Sequence, residues 1–280
     1  MKKQIIVMLF LGLLLLLSPF YADAHVKWFT NLEPVKETIE NILSPLFMSV
    51  ALLAAIIISL LPQVLPVFSK WKWSQAIDHK LDSWRVYSRA LLKYGTAAAL
   101  VIQVFSGTVL APEFHITQSW MSYVIWGIIL LLAVPHHIAT KVAALGLLGV
   151  MGYLTQQNGL FHMLDYGFYV AIAFALLIEK TKIENWGFPF LYLGTGLSLC
   201  WVAVEKWVYP GLSLDIVATH HVPTFGFAPS AFIVLAAFIE FVVGYLLVVG
   251  VLNRTLSVVV TLIFISTTLL FGYTEVVGHF

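Results

Sequence analysis

The stretch PSAFIVLAAFIEFVVGYLLVVGV, residues 229–251, carries a single charged residue, Glu240, in an otherwise apolar run. As a helix it is long enough to cross a hydrocarbon layer ~30 Å thick. Comparable runs at 44–66, 88–110, 119–135, 138–154, 165–179, 187–208 and 255–272 bring the expected spans to about eight. Composition agrees: 60% of residues are apolar, 10% are charged and the mean hydropathy is +0.94, against ~25% charged in soluble domains. The expected fold class is therefore all-α, a polytopic transmembrane helix bundle whose first partner is the lipid bilayer. A net charge of +1 excludes a strongly basic nucleic-acid binder. The single cysteine, Cys200, excludes a disulfide framework or a CxxC pair within the chain. No Walker loop, GxGxxG, HExxH or GxSxG occurs, so nucleotide, dinucleotide, zinc-protease and hydrolase chemistry find no support.

The N-terminus has the parts of a secretory signal. Lys2 and Lys3 start it, Ile5 to Leu17 is apolar but short, and Ala22-Asp23-Ala24 offers a cleavage site. Removal of 1–24 would leave a mature chain beginning at His25; an uncleaved anchor is the other reading. With that end outside, the inner loops receive Lys70, Lys72, Lys80, Arg85, Arg89, Lys93, Lys141, Lys180, Lys182 and Arg254, and the outer side only Lys27, Lys36 and Lys206. This asymmetry follows the positive-inside rule and predicts a bacterial inner-membrane protein with both mature ends in the periplasm. Residues 25–87 then form an N-terminal segment, a first span and a basic cytoplasmic loop. Lys70 to Lys93, with Trp71, Trp73 and Trp84, reads as an interfacial segment drawn to anionic lipid.

Leu91-Leu92-Lys93-Tyr94-Gly95-Thr96 opens the second span and Phe190-Leu191-Tyr192-Leu193-Gly194-Thr195 the sixth. Each is followed by a long outer loop and a hairpin with a short basic turn, so 88–186 and 187–280 read as parallel tandem repeats. In the second copy Glu205-Lys206-Trp207 closes one helix, and Glu240-x3-Gly244-x5-Gly250-x3-Arg254 runs along the next. This pattern resembles the DoxX family of small four-helix membrane proteins, clearly over 187–280 and in layout only over 88–180. Where the second copy has Glu240 the first has Trp126 or Gly127, and the second copy lacks a fourth helix. The resemblance implies a helical bundle and an accessory place in a membrane system. Relatives include the small subunit of a thiosulfate:quinone oxidoreductase, partners of oxidative-defence proteins and membrane chaperones. A quinone is therefore a possible cofactor.

Six histidines map to the outer side: His25, His115, His162, His220, His221 and His279. Neutral imidazole is a common ligand for copper, zinc and iron, and a neighbouring carboxylate fixes its tautomer. Glu113 stands beside His115, Asp165 after His162, Asp215 before His220 and Glu275 before His279, so these carboxylates are the candidate outer-shell partners. A mature His25 could chelate through its ring and its free amine, which favours copper. That position resembles the amino-terminal copper ligand of CopC-type carriers and of lytic polysaccharide monooxygenases. The other reading is that loops simply tolerate histidine.

Glu240 lies ~16 Å along its helix at 1.5 Å per residue, near mid-membrane, where an ionisable group marks function by default. Neither Lys206 nor Arg254 is an evident partner at that depth. Glu240 then reads either as a proton relay or quinone contact, or as a polar staple between helices; Glu205 and Lys206 are the other intramembrane polar candidates.

Together these features predict a non-catalytic accessory subunit of a redox or metal-handling system. Its periplasmic histidine site would take a transition metal, copper first, and its partner would be a periplasmic redox or metal-carrier protein. A proton-coupled metal transporter and a cofactor-free membrane chaperone or structural partner are the alternatives.

Overall fold

The computed structural model describes residues 26–30, 32–68, 79–80, 82–251, 256–258, 260–262, 264–265, 268 and 272–279. The predicted signal peptide, His25, Arg254 and parts of the span expected at 255–272 lie outside the described residues.

A short helix α1 (Ile39–Ile42) leads into α2 (Pro45–Phe68) and then α3 (Ser88–Phe105). A two-stranded ribbon follows, β1 (Thr108–Val109) against β2 (Ala111–His115), antiparallel. Next come α4 (Ser119–Ala133), α5 (His137–Asn158), the single turn α6 (Leu160–Met163), α7 (Gly167–Leu177) and α8 (Gly187–Val208). The order closes with α9 (Pro210–Thr219), α10 (Pro229–Val249) and α11 (Tyr273–His279). Five stretches are long and apolar enough to cross a membrane: Pro45–Pro66, His137–Asn158, Leu160–Leu177, Glu184–Val208 and Pro229–Val249; Ser119–Ala133 is apolar but shorter.

Local chemistry sets the ends. Prolines begin α9 and α10, where a missing N–H is no loss. Gly250 ends α10 in the left-handed region (φ 79°), its N–H reaching back to the carbonyls of Leu246 and Leu247. The run at 88–110 is not one continuous helix. α3 stops at Phe105, and Gly107 (φ 72°) and Leu110 (φ 63°) fold the chain into the ribbon. Its corner is sealed from solvent, with Val109, Leu110 and Ala111 at most 1% exposed. The Tyr169 hydroxyl donates to the Leu110 carbonyl at 2.6 Å, so the strained corner keeps its backbone acceptor satisfied.

Helices α3, α4, α5 and α7 enclose the main apolar core, around Leu100, Ile125, Leu132 and Leu147. A smaller cluster, Leu212, Ile216, Phe232 and Ile233, joins α9 to the start of α10. Helix α8 lies between α7 and α10 and meets both at small residues. A Cβ on Gly196 would sit 2.5 Å from the Gly244 carbonyl oxygen, and one on Gly244 would sit 2.7 Å from that of Gly196. On the other side, a Cβ on Gly194 would collide with that of Ala171. Close backbone approach of this kind is how helices associate where lipid removes the hydrophobic drive. No residue of the α2 apolar window is buried. It leans on α10 through Phe47, whose ring lies 5.1 Å from Trp207 and 4.9 Å from Phe238.

The connections between the long helices collect at two ends. The ribbon end holds residues 26–30, the ribbon, α6, α9 and α11. The basic end holds the starts of α3 and α8, the turn after α4 and the end of α7.

Gly196→Leu is expected to separate α8 from α10 and destabilise by about 1–3 kcal/mol or more, a fall in Tm of at least about 2–4 °C. Cys200, half-buried against Gly244, reports unfolding by thiol labelling in detergent. Gly149→Ala, which meets nothing within 4 Å, should leave the curve unmoved or raise it.

Candidate functional site

At the ribbon end ionisable groups from four parts of the chain form a belt. Asp165 sits in the 3-10 turn Leu164–Tyr166 that feeds α7, with 1% of its surface exposed. Glu205 and Lys206 occupy the last turn of α8, at 8% and 1%. At such burial a bare charge is prohibitive, so each needs a counter-charge or a proton.

Lys27 supplies one. It lies in the 3-10 turn Val26–Trp28, and its Nζ donates to Asp165 Oδ2 and to Glu205 Oε1, each at 2.7 Å. The two carboxylate oxygens are therefore no more than 5.4 Å apart, twice 2.7 Å. Burial works against the charged ammonium, but the two carboxylates outweigh it and raise the Lys27 pKa above its ordinary 10.5. Beside this pair of contacts, Lys206 Nζ donates to Glu240 Oε1 at 2.6 Å.

The Lys206–Glu240 pair supplies the partner that is not evident from the sequence at that depth. In every helix Cα–Cβ bonds tilt toward the N-terminus. Helices α8 and α10 are antiparallel, so Lys206 leans back toward Gly187 while Glu240 leans toward Pro229. The two tilts converge, and the lysine stem spans what remains.

The belt continues through the aromatic groups. Trp28 Nε1 donates to the Tyr166 hydroxyl at 2.8 Å, and that hydroxyl donates to Glu113. His162 Nε2 lies 3.0 Å from Glu113 Oε1. Thr30 Oγ1 donates to Asp215 Oδ2 at 2.7 Å, and Phe29 meets the His220 ring edge-on at 5.4 Å. Residues 27–30 thus touch α6–α7, α8 and α9 in turn.

The predicted site residues divide accordingly. Glu113, His162, Asp165, Glu205, Lys206 and Glu240 come together, and Asp215 lies beside them under Thr30. His115, His220 and His221 are exposed; His220 Nδ1 is 3.0 Å from the Thr219 hydroxyl. The backbones of Glu275 and His279 belong to α11. Among the described residues no three His, Cys, Asp or Glu side chains gather as a metal ion would need. The carboxylate pairing also differs from the sequence order: Glu113 serves His162 rather than His115, and Asp165 serves Lys27. A carboxylate this buried takes an ammonium in preference to an imidazole that is neutral at ordinary pH. Reading the sequence alone missed Lys27, Trp28, Thr30 and Tyr166. The available signal was Lys27 itself, one of three cations expected on the outer side.

Compared with protein-family models, curated proteins and solved structures, the chain has no significant match.

Lys27→Met would strand two carboxylates and should lower stability by on the order of 3 kcal/mol. Adding Glu205→Gln should recover part of that, which a double-mutant cycle in thermal unfolding would measure. Because its folded pKa is raised, the Lys27 contribution is fully present below pH 10.5 and lost as pH climbs through the folded value. Lys27→Met should lack that alkaline limb.

Proposed function

We propose that this chain is a DoxX-like accessory subunit of a redox or metal-handling system in the bacterial inner membrane. In this reading it crosses the bilayer eight times after losing residues 1–24, with tandem repeats at 88–186 and 187–280 and both mature ends in the periplasm. Its task is to hold and release protons, through the belt at the ribbon end, in step with a periplasmic redox or metal-carrier partner or a quinone.

The observation that carries this is a charge count. Among the described residues, four carboxylates, Glu113, Asp165, Glu205 and Glu240, share the belt with two lysines, Lys27 and Lys206, and one imidazole, His162. One ammonium cannot neutralise Asp165 and Glu205 together in so dry a place. A proton shared between them completes the neutralisation, as paired carboxylates commonly do. A purely structural staple needs one acid and one base; an excess of acids is what a proton store needs. Tyr166, one residue along the chain from Asp165, and His162 both meet partly exposed Glu113, so a second group of exchangeable protons lies beside the buried pair. Position supports the same reading, since the belt lies on the side where the partner would dock.

Copper becomes the secondary reading. The described histidines do not converge, so that proposal rests on His25, with His162 and Glu113 as the polar pair nearest in kind.

Infrared spectroscopy of the full-length protein at neutral pH should contain a protonated-carboxyl stretch that shifts in heavy water and vanishes in Asp165→Asn or Glu205→Gln. A spectrum with only ionised carboxylates in the folded wild type would end the proton-store reading. Metal content and N-terminal sequence of the same sample complete the comparison. One copper per chain behind a free His25 would move the metal reading ahead.

Lys206→Met should destabilise more than Glu240→Gln, because it leaves the acid rather than the cation to be neutralised by a proton or water. Equal losses in thermal unfolding would mean the pair acts only as a neutral hydrogen bond.

A further inference from the structure

At the basic end, away from the belt, a cavity of about 320 Å³ opens between the start of α3, the turn after α4, the end of α7 and the start of α8. Three cations line it, Arg89, Lys93 and Lys180, against the carboxylates Glu179 and Glu184. Arg89 pairs with Glu184. Lys93 is set apart by its burial. It is 8% exposed, and its Nζ donates to the Val134 carbonyl at 2.7 Å and lies 5.4 Å from the Tyr94 ring centre. Among the described residues no carboxylate pairs with it.

A lysine this buried with only a backbone carbonyl and a ring face leaves most of its charge uncompensated. The cavity beside it can admit the missing counter-ion. Two imidazoles share the lining: His136 Nδ1 accepts the Ile138 N–H at 3.3 Å, which leaves the ring proton on Nε2 as a donor. His137 stacks against it with centroids 4.7 Å apart. Ammonium and guanidinium donors of α3 and an imidazole from the turn after α4 line one cavity, an arrangement that suits an oxyanion with several acceptor oxygens.

The surroundings indicate where that oxyanion comes from. Trp84 and Trp186, 65% and 67% exposed, stand at this end, the place tryptophan takes at a membrane–water boundary. Val86, Leu91 and Ile183 are exposed beside the opening and give acyl chains an apolar surface to follow. We propose that the cavity binds the phosphate of an anionic phospholipid headgroup, with Lys93 as the buried cation that recognises it. Basic pockets between helix ends are a recurrent way to hold such headgroups.

The test uses the full chain, purified in detergent and stripped of lipid, with thermal unfolding read through Cys200 labelling. Phosphatidylglycerol should raise Tm in a saturable way, and phosphatidylcholine with the same acyl chains should not. Lys93→Met should abolish the response or weaken apparent phosphatidylglycerol affinity by roughly fivefold or more. Should that variant fail to fold, the Arg89→Gln/Lys180→Gln double variant takes its place with the same expectation. An equal response to both lipids, or an undiminished one in Lys93→Met, would overturn the proposal. A response to inorganic phosphate that needs Lys93 but has no lipid preference would overturn the lipid as its source.

Discussion

Helix α8 meets α10 backbone to backbone at Gly196 and takes the Ala171 methyl of α7 against Gly194, and the rest of the molecule depends on that closeness. Reciprocal contact between Gly196 and Gly244 fixes both the spacing and the axial register of α8 on α10. Only in that register do Lys206 and Glu240, from opposite helices with opposite side-chain tilts, meet at 2.6 Å. On the opposite face, Gly167 stands close to the Ser198 hydroxyl, and that hydroxyl also accepts the Phe168 N–H at 3.1 Å. The start of α7 is thereby held on α8, and the turn that feeds it brings Asp165 to Glu205 across Lys27. A larger residue at Gly196 would act on the charges as much as on the packing.

Those charges in turn explain why the bundle is capped rather than left open. In lipid or in a closed core, an ionised carboxylate is tolerated only with its compensation in place. The compensation for Asp165 and Glu205 comes from outside the helices that carry them, from residue 27. Residues 27–30 are therefore part of the bundle. The ribbon is fastened in the same way from the other terminus. Gln103 donates to the Val277 carbonyl, Ser106 and Tyr273 share a hydrogen bond of 2.7 Å, and the Trp28 ring lies over Gly278. Both ends of the described chain close the same mouth.

Helices were legible in the sequence because their signal is long and one-dimensional: the apolar runs around 45–66, 187–208 and 229–251 recur as α2, α8 and α10. The chemistry-bearing types were legible as well, since a charge inside an apolar run stands out; Glu205, Lys206 and Glu240 were found that way. Their pairing was not. It depends on interhelical register and on the direction of Cβ, neither of which is visible along one strand of text. The ribbon and α9 were hidden for a different reason. They are short, and Gly107 and Leu110 break the apolar run at 88–110 by backbone geometry while leaving its hydropathy intact. Histidines are found in sequence by residue type, while their convergence is not visible there. His115 and His220 share an end with His162 but not a site.

The span of sequence that each contact bridges suggests how the two parts of the molecule differ in stability. Neighbouring pairs such as α3 with α4 and α4 with α5 are joined by turns of a few residues and form the main core. Lys27 reaches Asp165 across 138 positions and Glu205 across 178, and Gln103 reaches Val277 across 174. Contacts that distant add loop-closure entropy before they return any enthalpy. The mouth is also built from short pieces, one 3-10 turn, a ribbon and a seven-residue helix, of which the ribbon corner is sunk in the main core. The 3-10 turn at Val26–Trp28, held by side-chain contacts rather than by helix or sheet, is thus expected to open at lower free energy than the core beneath it. Asp165 and Glu205 draw their counter-charge from that short turn, so a small displacement at residue 27 would strip it from both carboxylates at once.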